Sequence, residues 1–127
     1  MSGFLLGLSA IALLLTGGSV DASQLVMHNE INHLLQYIET SECSFIRNDN
    51  FYPGEKAVEH INKKYKHFLD RIQSAEDFIE YSATKSELTG KYYYVKCPDQ
   101  CPEHSRVRLK DWLLVELKRI REERQIP

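Results

Sequence analysis

Six polar residues of this chain have the types and spacing to bind an anion. Three are cationic, one is a histidine and two are neutral hydrogen-bonding residues: Arg47, Lys64, Lys91, His60, Asn48 and Ser86. His60 and Lys64 are four residues apart and would share one face of a helix. Arg47 and Lys91 flank two short β-favouring segments, whose pairing would bring both side chains to neighbouring strand ends. Converging cations and amides suit a carboxylate or a phosphate.

The same residues also have a structural interpretation. Arg47 would then pair with a carboxylate such as Asp77 or Glu76, and Asn48 would cap a turn. Buried or half-buried polar groups usually have such hydrogen-bonding partners. The sequence therefore leaves both a binding pocket and a structural network open.

Two further functions are compatible with these residues. A small hydrolase or transferase would use His60 as a general base, with Lys64 or Arg47 stabilising an oxyanion. An inhibitor-like module would instead contact a protein partner through Tyr92 and Tyr94, which alternate with the core-facing positions of a predicted strand. No catalytic residue can be assigned from the sequence.

The histidines and cysteines do not have the spacing of a metal site. Two pairs of histidines fall on predicted helices, five and seven residues apart: His28 with His33, and His60 with His67. A two-ligand helix site uses positions i and i+4. Cys97-x-x-x-Cys101 likewise lacks the paired CxxC spacing of a structural zinc site. We therefore predict no metal and no cofactor.

The three cysteines allow three single-disulfide pairings, each of which leaves one thiol unpaired. We favour Cys43–Cys97, because it closes a long loop and joins the ends of two paired strands. The alternative Cys97–Cys101 ring is short and contains Pro98. With the favoured pairing, Cys101 is a free or intermolecular thiol.

Hydrophobic periodicity predicts a mainly α fold, with about four helices and one short two-stranded antiparallel β element. The predicted helices cover residues 24–42, 53–68, 75–84 and 106–123, where apolar residues recur at three and four steps. The best strand covers residues 91–97, whose side chains alternate. Its predicted partner is Phe45-Ile46.

The N-terminal segment has the organisation of a signal peptide. Residues 4–15 are apolar, and Val20-Asp21-Ala22 places small side chains before a cleavage point after Ala22. We expect residues 1–22 to be removed and residues 23–127 to form one small helical domain, although an uncleaved anchor is the alternative. The location would then be periplasmic or secreted, without stable membrane insertion after cleavage. The formal net charge of −2 argues against a nucleic-acid partner.

Four motifs in order resemble those of the exported bacterial domain-of-unknown-function family 5329. The motifs are Phe45-Ile-Arg-Asn48, Ala57-x-x-His60-Ile-x-x-Lys64-Tyr65, Ala75-Glu-x-Phe78-Ile79 and Ser86-x-x-Thr-Gly90-Lys-x-Tyr93-x-Val95. The resemblance implies a periplasmic or secreted protein of Gram-negative bacteria and implies no activity. It also implies that the positions of Arg47, Asn48, His60, Lys64 and Lys91 belong to the family pattern.

The function that these observations favour is a non-enzymatic binding or interaction module. Its partner would be an anionic small molecule, held by the cluster around Arg47, or a periplasmic protein. Export and the cationic cluster are the two observations on which this expectation depends.

Overall fold

The computed structural model describes residues 21–98 and 106–126. In chain order its elements are α1 (Ala22–Thr40), β1 (Ser44–Arg47), β2 (Asn50–Tyr52), α2 (Gly54–His67), a 3-10 turn (Leu69–Arg71), α3 (Ala75–Ser82), β3 (Tyr94–Lys96), β4 (Arg106–Arg108) and α4 (Leu109–Arg124). Most of the predicted signal segment and Cys101 lie outside the described residues. None of the helices within these residues is long and apolar enough to span a bilayer.

The strands form one antiparallel sheet in the order β2-β1-β3-β4. The predicted central pair is confirmed, with Phe45 opposite Val95. The sheet has four strands and not the two that the sequence predicts, because a three-residue strand lies on each side of this pair. Strands this short show almost no alternation in sequence, so periodicity alone does not identify them.

The two additional strands have different origins. β2 returns from β1 through Asn48 and Asp49, whose φ angles of 50° and 68° are both positive, as a type I′ hairpin turn requires. The residues of β4 were predicted from hydrophobic periodicity to be the first residues of the last helix. The structure instead pairs Val107 with Val95, so α4 begins only at Leu109.

The helices pack on one face of the sheet and enclose the core. Phe45, Tyr93 and Val95 point from the sheet into this core. The helices contribute mainly aliphatic side chains, including Ile31, Leu34, Ile38, Ile61, Ile79, Leu113 and Leu117, together with Phe78. On the opposite face Tyr92 is 38% exposed and Phe51 is 63% exposed, as expected from the alternation along a strand.

α1 and α2 approach each other closely where α2 begins. A Cβ atom added to Gly54 would overlap the backbone oxygen of Ile38 and would lie only 3.0 Å from that of Glu39. Only glycine fits at this point of contact. The contact fixes the start of α2 and thereby the position of His60, which lies further along that helix.

The favoured disulfide is confirmed. Cys43, just before β1, is bonded to Cys97, just after β3, with the two Cα atoms 4.2 Å apart. The bridge joins residues separated by 54 positions and closes the central strand pair at one end. The pairing follows from the register, because Ser44 lies opposite Lys96.

An ion network connects three helices at the other end of the core. Glu30 of α1 is only 4% exposed and accepts hydrogen bonds from Arg121 at 2.9 Å and from Arg124 at 2.7 Å. Arg121 also binds Glu76 of α3. Donation from Arg121 is the main reason why the pKa of Glu30 lies below its usual range.

Candidate functional site

β1 and α2 bring Arg47 and His60 into direct contact. Arg47 Nη1 lies 3.0 Å from His60 Nδ1 and 3.2 Å from Nε2, and Nη2 donates a longer bond of 3.4 Å to the hydroxyl of Tyr52. Arg47 is the last residue of β1, and Tyr52 is on the same sheet face in the returning strand. The hairpin therefore places a guanidinium and a phenol beside the imidazole from the helix.

The hydroxyl of Tyr93 connects this group to a second cation. His60 Nε2 lies 3.1 Å from that oxygen, and Lys64 Nζ lies 3.3 Å from it. Arginine only donates hydrogen bonds, so the nitrogen of His60 that faces it must carry a lone pair. We assign that lone pair to Nδ1 from the hydrogen-bond geometry, which leaves Nε2–H to donate to Tyr93.

Burial and neighbouring charge hold this cluster in defined ionisation states. Burial, with the positive charges of Arg47 and Lys64, lowers the pKa of His60 to about 4, so the imidazole is neutral at pH 7. Burial also raises the pKa of Tyr93 to about 12 and lowers the pKa of Lys64. Lys64 is stabilised by the carbonyl of Lys85, 2.6 Å from its Nζ.

A cavity of about 190 Å³ opens beside Arg47 and His60. Its apolar lining comes from both the sheet and the helices: Phe45, Ile46, Ala57, Ile61 and Leu109. Its polar lining consists of Arg47, His60 and the three tyrosines Tyr52, Tyr93 and Tyr94, with Lys56, Glu59 and Lys63 from the exposed side of α2. The cavity thus combines an apolar interior with one half-buried guanidinium.

Arg47 has only neutral partners within residues 21–98 and 106–126. None of the carboxylates in those ranges lies within 4 Å of its guanidinium nitrogens. The structural interpretation paired Arg47 with Glu76 or Asp77. Glu76 instead binds Arg121, and Asp77 accepts a bond from the backbone of Gln73. The guanidinium of Arg47 therefore has no counter-ion among the described residues.

The predicted candidates Asn48 and Ser86 lie away from this cavity. Asn48 Oδ1 accepts a bond of 2.7 Å from the hydroxyl of Thr89, and its Nδ2 lies 3.5 Å from Ser86 Oγ. These contacts join the β1–β2 turn to the loop that precedes β3. Their role in the fold is to hold two loops together.

Lys91 also lies outside the cavity. Its Nζ binds Asp49 at 2.8 Å, and both side chains are more than half exposed. Lys64 does not line the cavity, but its Nζ contacts the hydroxyl of Tyr93, a residue that does. Of the six predicted residues, Arg47 and His60 thus line the cavity, and Lys64 supports it.

Sequence reasoning missed Tyr52 and did not include Tyr93 in the site. A hairpin at Asn48-Asp49 would have placed Tyr52 opposite Phe45 and on the same face as Arg47. The signal was present as two turn residues between β-favouring segments. Tyr93 was placed correctly on the core face, but its hydroxyl contacts depend on how α2 packs.

A comparison with known families identifies the family of this chain. The sequence pattern of a group described as "Family of unknown function (DUF5329)" matches residues 26–121. The chain belongs to this family. The resemblance proposed from the four motifs is confirmed, and the DUF5329 match includes all the residues that line the cavity.

A curated relative in Salmonella typhimurium has a comparable length. This "Uncharacterized protein YfeK" is 34% identical over 89 residues, which cover 67% of this chain and 72% of the relative. No solved structure matches this chain. Neither the DUF5329 family nor the relative assigns an activity, so the geometry of the site carries the functional argument.

The described residues offer no metal centre. Residues 21–98 and 106–126 contain no group of three or more histidine, cysteine, aspartate or glutamate side chains that could hold a metal ion. The polar groups around the cavity are mostly cationic donors, phenols and a neutral imidazole, and its one carboxylate, Glu59, is paired with Lys56. Such groups bind anions and apolar surfaces, which limits the chemical classes of ligand that fit.

Proposed function

We propose that this protein is an exported binding module for a small organic acid. The carboxylate of the ligand pairs with Arg47, and its apolar body enters the cavity beside His60. The observation that carries this proposal is a half-buried guanidinium on the wall of a largely apolar cavity, whose partners among the described residues are all neutral. An unpaired charge in such a place is costly unless an anion compensates it.

The donors of Arg47 suit a carboxylate. A guanidinium has five N–H groups in a planar fork, and the contacts to His60 and Tyr52 engage only Nη1 and Nη2. Both partners are neutral, so a carboxylate can replace either bond with a stronger charge-assisted one. The rim adds Lys63, whereas Lys56 is already close to Glu59 at 3.3 Å.

The size of the cavity limits the apolar body of the ligand. A dry cavity of about 150 Å³ can hold one benzene ring. The cavity here is about 190 Å³ and is bounded by Phe45, Ile61 and Leu109. One aromatic ring or a short branched chain fits this space, whereas a long acyl chain does not.

The same contacts make His60 a poor general base. Its pKa of about 4 gives it weak basicity at pH 7, and its lone pair already accepts a bond from Arg47. The proposal therefore uses His60 as a neutral hydrogen-bonding group that positions Arg47. The hydrolase or transferase function remains a hypothesis without an observation that favours it.

Titration calorimetry and NMR with matched ligands test this proposal. Benzoate is the acid, and benzamide is its neutral analogue of similar shape. We expect saturable binding of benzoate and at least about tenfold weaker binding of benzamide, because one charged hydrogen-bonded contact is worth about 1.5–3 kcal/mol. Amide signals of residues that line the cavity should shift in parallel with the heat of binding.

Two matched variants test whether Arg47 is the residue that binds the carboxylate. Arg47→Gln removes the cation inside the cavity, and Arg71→Gln makes the same change at an exposed arginine of the 3-10 turn. Benzoate binding should be lost in the first variant and unchanged in the second. Equal binding by wild type and Arg47→Gln, or no binding by benzoate, phenylacetate and isovalerate alike, would refute the proposal.

A further inference from the structure

β4 presents two arginines that are held in place by aromatic rings. The guanidinium carbon of Arg106 lies 4.3 Å from the ring centroid of Tyr94, and that of Arg108 lies 4.0 Å from the ring centroid of Tyr92. Both contacts are within the range of a cation–π interaction. The stacking orders the guanidinium planes and leaves their N–H edges available.

The surroundings of these arginines are strongly positive. This face of the sheet also carries Lys91 and Lys96, and the carboxylate that lies among them is Asp49, already paired with Lys91. Within the described ranges no carboxylate lies within 4 Å of Arg106 or Arg108. The charge of the face is therefore complementary to an acidic partner.

β4 is also the last strand of the sheet, and within residues 21–98 and 106–126 no strand pairs with its outer side. The amide of Leu109 donates to the carbonyl of Tyr93, which makes these two residues a hydrogen-bonded pair. Hydrogen-bonded and non-hydrogen-bonded pairs alternate along an antiparallel ladder, so Val107 bonds toward β3. The amides of Arg106 and Arg108 consequently point away from β3.

We propose that β4 binds an extended acidic segment of a partner protein by strand addition. The partner strand places acidic side chains at alternate positions, where they meet Arg106 and Arg108 on one face. The partner residue between two of these acidic positions is apolar. It packs on the other face of the sheet beside Val107, which is 39% exposed. Main-chain bonds to the outward amides supply affinity, and the alternation supplies specificity.

The same features disfavour a second copy as the occupant. Two β4 strands paired edge to edge would place the arginines of one copy against those of the other. Like charges in such cross-strand positions are destabilising. An acidic polysaccharide would match the charge of the face, but it offers no row of amide groups to the open strand.

Fluorescence anisotropy with a labelled peptide tests strand addition in the purified full-length protein. The probe is acetyl-Glu-Val-Glu-Val-Glu-Val-Glu. In the antiparallel orientation that we propose, the glutamates lie opposite Arg106 and Arg108 and form hydrogen-bonded pairs with them. N-methylation of the central glutamates then removes the N–H groups that face β4, whereas N-methylation of the valines alters only the outer side. We expect the first modification to weaken binding about tenfold or more and the second to have a much smaller effect.

Paired charge variants test the role of the arginines. Arg106→Gln/Arg108→Gln should weaken peptide binding about tenfold or more. Lys66→Gln/Arg71→Gln removes two exposed cations elsewhere and should leave binding unchanged. If the arginine variant does not fold, which circular dichroism would show, the N-methylated peptides decide the question with the wild-type protein.

Three results would overturn the proposal. The first is equal binding of the peptides methylated at glutamate and at valine, which would exclude backbone pairing. The second is stronger binding of dextran sulfate than of the peptide at equal charge, which would make the face a polysaccharide site. The third is a concentration-dependent dimer that Arg106→Gln/Arg108→Gln dissociates, which would make the occupant a second copy.

Discussion

Arg47 lies 3.0 Å from Nδ1 of His60, so a permanent cation faces the lone pair of a neutral imidazole. This contact joins the end of β1 to the middle of α2. Burial, together with this neighbouring cation, keeps His60 neutral at pH 7. Arg47 has no carboxylate partner within residues 21–98 and 106–126. The candidate binding site depends on both features.

The first prediction concerns the pH dependence of stability. The pKa of His60 is about 4 in the folded protein, below its ordinary value of 6.5. The unfolded state therefore takes up this proton first, and the stabilisation present above pH 6.5 is lost as the pH falls toward 4. In His60→Gln the melting temperature should decrease less between pH 7.5 and 4.5, by several degrees.

Thermal melts at closely spaced pH values measure this difference. His28→Gln is the matched control, because His28 is exposed on α1 and its removal should leave the wild-type pH profile unchanged. An NMR titration that gives His60 a pKa near 6.5 would contradict the assigned contact with Arg47.

The second prediction concerns the disulfide. Cys43→Ala/Cys97→Ala should lower the free energy of unfolding by about 4 kcal/mol, because the bridge restricts a loop of 54 residues in the unfolded chain. Urea denaturation under oxidising conditions measures the loss. Cys101→Ser removes a thiol without touching the bridge and should leave the transition unchanged. Equal losses in both variants would argue against this disulfide.

The third prediction concerns the contact between α1 and α2. Gly54→Ala should lower the free energy of unfolding by about 2 kcal/mol, because the new Cβ would overlap the backbone oxygen of Ile38. Chemical denaturation measures this loss. Gly90→Ala is the comparison, because Gly90 has a φ of +73° and no atom within 4 Å of the added Cβ.

The cost of Gly90→Ala should be about 1 kcal/mol, from backbone conformation alone. A Gly54→Ala protein as stable as the wild type would mean that the two helices can separate without loss. Since α2 carries His60, the Gly54→Ala variant should also weaken benzoate binding.

The fourth prediction concerns the buried carboxylate of Glu30. Glu30→Gln should destabilise the fold by about 2 kcal/mol, because it leaves Arg121 and Arg124 without their buried counter-ion. The expected loss is at the lower end for a broken buried pair, since both arginines are partly exposed. Denaturation at pH 7 measures it.

Glu122→Gln provides the control for Glu30. Glu122 is 66% exposed and lies 3.9 Å from Lys118, so its loss should change the free energy of unfolding by less than about 0.5 kcal/mol. The pKa of Glu30 is depressed, so its contribution is present above pH 4.5 and is lost as the pH falls through the folded pKa. Identical acid-unfolding profiles for wild type and Glu30→Gln would contradict this assignment.

The sequence alone was sufficient for the elements with a long periodic pattern. The four helices, the central strand pair and the Cys43–Cys97 bridge were all predicted, because each depends on spacing along the chain. The observed ends of the helices differ from the predicted ends by a few residues. Only at the last helix is the type of structure different, because Arg106–Arg108 form a strand that pairs with β3. Three residues carry too little periodicity to reveal a strand.

The binding site was predicted only in part, for a physical reason. His60 and Lys64 share a helical face by their spacing, and Arg47 follows a strand, so the chain itself indicated three members of the cluster. Lys91 does not line the same cavity as Arg47, because the hairpin turn places Asp49 where it forms an exposed ion pair with Lys91. Such a contact joins residues far apart in sequence, where periodicity carries no information.

Local patterns thus determined which segments are helical, which strand is central and which cysteines face each other. The tertiary structure decided which polar groups meet around Tyr93, that Arg47 has only neutral partners in the described chain, and that β4 presents an open edge. Backbone periodicity is a property of neighbouring residues. The ionisation of His60 and the availability of Arg47 depend instead on burial and on charges that folding brings together.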